Sequence, residues 1–119
     1  MNGRSSLPAA WLVSDGRVLA SADVAKTARA RRRGLIGKNT VTTAMVLVNC
    51  RWIHTIGVKC ALDIAYLDAD SKVIKIQRLS PMRVSLPVSK SATIVEASAG
   101  SFERWGLHLG DVVEVRYAS

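Results

Sequence analysis

Leu62-Asp-Ile-Ala-Tyr-Leu67, Asp68-Ala-Asp-Ser71 and Lys72-Val-Ile-Lys-Ile-Gln77 form the stretch that decides the fold. Two apolar runs of strand length flank a polar turn, which predicts a β-hairpin. In the second run Val73 shares a face with Lys75, and Ile74 with Ile76, so one face is more apolar. Upstream, Ala44 to Val48 has the composition of a short buried strand. Arg51 to Val58 reads as a less regular strand interrupted at Gly57. Trp11 to Ser14 and Arg17 to Ala20 predict a second hairpin, because Asp15-Gly16 suits the positive φ angles of a type I′ turn. Ala25 to Ile36, rich in Ala and Arg, predicts a helix capped by Ser21 or Asp23. Gly37 stops it, and Lys38 suits the negative end of its dipole. Downstream, Pro81 and Pro87 bracket an irregular connector, and Ala92 to Ala97 is another strand. Ser101 to Trp105 reads as a helical turn ending at Gly106, and Gly110-Asp111 opens a last strand from Val112 to Tyr117.

Short strands separated by turn signals argue for a mainly β chain. The expectation is a two-layer antiparallel β-sandwich or a small barrel, with one helix and a short helical turn, in a single domain over residues 1–119. A doubly wound parallel sheet is disfavoured, because regular helices do not separate the strands. The apolar fraction is 49% with only 5% aromatic residues, so the core must rest on Val, Ile, Leu and Ala. The two cysteines, Cys50 and Cys60, are too few for a disulfide framework and are expected to be packed free thiols. The N-terminus offers no apolar stretch of signal-peptide length, and no run reaches the ~20 residues of a spanning helix. The expectation is a cytoplasmic protein without a membrane partner.

The net charge of +8 is lopsided. Residues 1–60 hold ten Lys or Arg against two Asp, whereas residues 61–119 hold seven of each sign. Such an excess serves solubility or marks a patch that attracts polyanions or acidic partners. Arg29, Arg32, Arg33 and Lys38 are the candidate patch. No aromatic platform sits among them, so any polyanion binding is expected to be weak and non-specific.

Several segments resemble a known family. Arg31-Arg-Arg-Gly-Leu-Ile-Gly-Lys38, Asn49-Cys-Arg-Trp-Ile-His-Thr-Ile-Gly-Val58, Leu62-Asp63-Ile, Leu67-Asp-Ala-Asp70, Ala97 to Gly100, and Gly106-Leu-His-Leu-Gly-Asp111 match, in order and spacing, the family called domain of unknown function 192. The resemblance spans about residues 17–116. It implies a mainly β, jelly-roll-like domain, and supplies no reaction and no catalytic roles. Val58 stands where Met is usual. Cys60 and Ala61 stand where an aromatic or aliphatic residue and Pro are usual.

The candidate pocket residues are His54, Thr55, Asp63 and Arg31. On a helix, Val24, Ala28, Arg31 and Leu35 would share one stripe, placing Arg31 against the core, where a charge must be paired. Asp63 and Asp111 are its possible partners. Such a pair is structural, or it leaves an anion-binding Arg at a pocket edge. His54 is a hydrogen-bonded structural residue or, oriented by Asp63, a base. No nucleophile elbow, phosphate loop or Cys-x-x-Cys pair accompanies it. Cys50-x3-His54-x5-Cys60 lacks the four closely spaced ligands of structural zinc, so no metal and no cofactor is expected. A non-enzymatic binding module for a small polar ligand, a glycan or an acidic macromolecule is the leading expectation. A small hydrolase or lyase using His54 is the alternative. The oligomeric state is left open.

Overall fold

The hairpin that opened the sequence reading forms. The computed structural model describes residues 9–25 and 44–117. Leu62–Leu67 (β4) pairs antiparallel with Val73–Leu79 (β5) across the Asp68–Ser71 turn. The turn is closed by Asp68 Oδ1, which accepts from the N–H groups of Asp70 (2.9 Å) and Lys72 (3.0 Å). The other described strands are β1 (Ala9–Ser14), β2 (Arg17–Ala25), β3 (Ala44–Val48), β6 (Thr93–Ser98) and β7 (Glu114–Tyr117), with one short helix, α1 (Ser101–Trp105). Asp15 (φ 52°) and Gly16 (φ 76°) make the β1–β2 turn with both central residues at positive φ, as expected of Asp-Gly.

All seven strands belong to one sheet, in the order β5-β4-β6-β3-β2-β1-β7. Among the described residues there is no second sheet, and one pair departs from the all-antiparallel expectation: β2 and β3 run parallel. The chain can do this because residues 26–43 lie between the two strands, and a parallel pair needs a connection of about a dozen residues or more. Of the predicted helix over 25–36, Ala25 is the last residue of β2, and the rest lies outside the described residues, with Arg29, Arg31, Arg32, Arg33 and Lys38. Ser21, Asp23 and Val24 lie within β2 rather than at a helix N-terminus, so neither Ser21 nor Asp23 caps a helix there.

Strand alternation builds two apolar faces. One face gathers Leu12, Val24, Val46, Ala65, Leu67, Val73 and Val95 with Phe102, Leu107 and Val113. The opposite face gathers Met45, Leu47, Leu62, Ile64, Tyr66 and Ile94 with Cys50, Ile53 and Val58. Each fully buried aliphatic side chain contributes roughly 1.5–3 kcal/mol. The first face is concave, because it collects residues from both ends of the strand order. At one corner the start of β5 meets the segment that leads into β7: Val73 N–H donates to Asp111 O (2.8 Å), Gly110 N–H to Val73 O (2.9 Å) and Val113 N–H to Ser71 O (2.9 Å). Beyond this seam the sheet stays unclosed. A register shift within β4–β5 pairs Leu67 with Val73 but Tyr66 with Lys75, which leaves Ile74 as an extra residue. Ile74 therefore packs on the convex core and Ile76 on the concave one. This corrects the expectation that they share a face, since a bulge resets the alternation.

Arg51 to Val58 is not a strand. It is an irregular loop with a single bridge, His54 to Val84, and it covers the convex face with the 80–92 connector.

Candidate functional site

Asp63 is 4% exposed and fully engaged. Its Oδ1 accepts from Arg78 Nε at 2.8 Å, directly across the β4–β5 ladder. Its Oδ2 accepts from the N–H groups of Gly100 (2.9 Å) and Phe102 (3.2 Å). Gly100 is the N-cap of α1 and makes no side-chain cap bond itself, so a carboxylate from a distant strand caps the helix. The hydrogen bond to Asp63 and, next, its negative charge hold the Arg78 guanidinium above its already high ordinary pKa, so it stays cationic.

This placement separates the expected pair. Asp63 alternates with Leu62 and Ile64 and so lies on the side of Ala65 and Leu67, whereas the loop carrying His54 and Thr55 packs on the opposite side of the sheet. His54 Nδ1 instead accepts from the Ile56 N–H (3.3 Å), and its ring lies 6.2 Å from that of Trp52. Thr55 is fully buried: Oγ1 donates to Ser80 O (2.6 Å) and accepts from the Arg83 N–H (2.9 Å). It fastens one covering loop to the other. The pairing of Arg31 lies outside the described residues. Of its two expected partners, Asp63 takes the bonds above, and Asp111 Oδ2 accepts from the His108 N–H (2.8 Å).

Cys50 and Cys60 are free thiols, and Cys50 Sγ donates to Trp52 O at 3.0 Å. Among the described residues no three His, Cys, Asp or Glu side chains converge as metal ligands would.

A cavity of about 520 Å³ opens elsewhere, at the unclosed end of the concave face beside the seam. Val46, Val48 and Val115 wall it, and Asp70, Ser71, Thr93, Glu114 and Tyr117 supply polar groups. Glu114 is held by Arg116, Nε to Oε2 at 3.0 Å. No motif in the sequence marks this site. Its lining comes from β3, the β4–β5 turn, β6 and β7, and each piece reads alone as an ordinary strand or turn. The one local signal is Thr93, a polar residue that opens strand β6 ahead of Ile94 and Val95.

The family model for domain of unknown function 192 (DUF192, "Uncharacterized ACR") matches residues 10–115. The chain belongs to this family. Within the DUF192 chain, the Leu-Asp-Ile segment and the Ala97–Gly100 segment are thus joined physically, through the cap that Asp63 gives α1. No curated protein is detectably similar in sequence. Two solved structures share the fold. A Sinorhizobium meliloti 1021 protein described as a "putative transcription regulator" superposes with a TM-score of 0.81 at 18% identity, covering 95% of this chain and 98% of that one. A protein of unknown function from Novosphingobium aromaticivorans DSM 12444 gives 0.76 at 21% identity, covering 96% and 90%. No helix among the described residues is long and apolar enough to cross a membrane.

Proposed function

We propose that this DUF192 chain is a non-enzymatic binding module that takes a small polar ligand in the cavity beside the β5–β7 seam. The observation that carries the reading is the lining: valines together with a few hydroxyl- and carboxylate-bearing residues. Apolar walls with a few placed polar groups are the usual make-up of a small-ligand site. Asp70 and Glu114 favour a hydroxylated or amine-bearing ligand over an anion. That choice differs from a basic-rimmed pocket around His54, whose imidazole and whose expected carboxylate lie on opposite sides of the sheet. The curl of the sheet reads as a half-open barrel whose gap is the entrance.

The test is amide chemical-shift mapping during titration with neutral sugars, polyols, alkylamines and carboxylates. Shifts confined to Val48, Ser71, Thr93 and Tyr117 with sugars, polyols or amines support the reading. Val48→Arg should fill the cavity and abolish them. Shifts that map instead to residues 52–56, or a response to carboxylates alone, would remove it.

A further inference from the structure

The two loops that cover the convex face form a second surface, independent of the cavity. Residues 52–56 and 82–86 run antiparallel, joined by Thr55 N–H to Arg83 O (2.8 Å), Ser85 N–H to Ile53 O (2.8 Å) and Met82 N–H to Thr55 O (3.1 Å). The bridge of His54 to Val84 sets the register. Side chains alternate across such a ribbon. Ile53, Thr55 and Ser85 point inward and are buried. Trp52, Ile56, Met82, Val84 and Leu86 point outward, at 48%, 48%, 64%, 60% and 77% exposure. The loop buckle at Thr55 and the bond from Ile53 N–H to Ser85 Oγ (2.9 Å) fix this apolar face in place.

The two loops that carry it are basic. Arg51, Lys59, Arg83 and Lys90 are all exposed, and neither 49–61 nor 80–92 contains an Asp or Glu. An exposed apolar patch of this kind marks an interaction surface. We infer that it docks on an anionic lipid bilayer, with the apolar side chains entering the headgroup region and the cationic rim meeting lipid phosphates. Trp and long aliphatic side chains ringed by Lys and Arg are the composition that binds there, and each basic residue near the surface adds to the attraction. Trp is itself favoured at such an interface. A second copy of this chain would oppose its own cationic rim. Side chains that stand this far out need matching pockets on a protein partner, whereas a fluid interface needs none. The sequence expectation of no membrane partner rested on the lack of a spanning run, which surface docking does not require.

The experiment is co-sedimentation of the full chain with vesicles of phosphatidylcholine, with and without phosphatidylglycerol, at low and high salt. Binding is expected to the phosphatidylglycerol vesicles only and to weaken with salt. Leu86→Glu and Val84→Glu should each lower it at least tenfold. Val18→Glu, at an exposed apolar position in the β1–β2 hairpin, should not. Acyl-chain brominated lipids should quench tryptophan fluorescence, and Trp52→Phe should remove most of that quenching while the protein stays bound. Absence of vesicle binding at low salt overturns the inference, including the case where the chain instead self-associates or captures an acidic peptide through this face. Equal binding by Leu86→Glu and Val18→Glu also overturns it, because net charge alone would then explain the association.

Discussion

Tyr66 carries the largest side chain among the fully buried residues, and its hydroxyl has no hydrogen-bond partner among the described residues. Ser85 lies on the same side, where its Oγ accepts from the Ile53 N–H, and its hydroxyl lowers the Tyr66 pKa against the larger effect of burial. Lys75, directly opposite on β5, sets its ammonium 5.7 Å from the ring centre. A buried unsatisfied hydroxyl costs about 1–3 kcal/mol. Tyr66→Phe should therefore be neutral or stabilise by about 1 kcal/mol, read as a higher urea midpoint at unchanged slope. Burial is also the main cause that pushes the phenol pKa above its ordinary value of 10.0. With the folded pKa above the unfolded one, the tyrosine's contribution is intact below pH 10 and is lost as pH rises from there through the folded pKa. Alkaline destabilisation that starts near pH 10 should be reduced in Tyr66→Phe, and an identical pH profile in both proteins would contradict this. Asp63 works in the other direction, by satisfying its neighbours. Asp63→Ala strands two N–H groups of α1 and should cost about 2–4 kcal/mol in thermal or urea unfolding.

Short elements here hold together through their ends. α1 has five residues, too few to persist by themselves. Asp63 caps its start. At its finish Gly106 (φ 68°) donates to Glu103 O (3.1 Å), Leu107 N–H donates to Phe102 O (2.9 Å), and Leu107 and Phe102 both join the concave core. This is a Schellman stop with its hydrophobic contact. A Cβ on Gly106 meets only Arg17 Nη2, at 3.8 Å, so Gly106→Ala should cost only the left-handed strain, about 1–2 kcal/mol. The covering loops depend in the same way on Thr55. Thr55→Val keeps the shape but leaves the Arg83 N–H and Ser80 O without that partner. It should lower stability by about 1–3 kcal/mol and expose the 80–92 connector to proteolysis before the sheet unfolds.

Across the whole molecule, the strand order sets where the structure opens. β4, β6 and β3 lie inside the sheet and carry the two cores, whereas β5 and β7 are its edges, and the seam joins residues 71–73 at the start of β5 to residues 110–113 that lead into β7. Hydrogen exchange should therefore find the amides of Val73, Gly110 and Val113 less protected than those of Ile64, Val95 and Val46. Equal protection at both sets would mean that the sheet opens as one unit. The cavity lies beside this weaker corner, so a ligand bound there should raise seam protection more than central protection.

The sequence alone determined most elements and their turns, because those are local matters. Asp15-Gly16, the Asp68–Ser71 turn, Gly106 and Gly110 each impose a backbone geometry on their own neighbours, and the apolar runs between them have strand length. It also placed the chain in its family. Partnership across the sheet was decided only by tertiary structure. Asp63 sits thirty-seven positions before the glycine whose N–H it binds, and nothing local distinguishes that role from a pair with His54. The bulge at Ile74 and the parallel β2–β3 pair likewise depend on how strands register with one another. The cavity and the apolar ribbon are more extreme cases. Each gathers side chains from separate segments, so its shape and charge arise only once the sheet curls and the loops fold over its convex face.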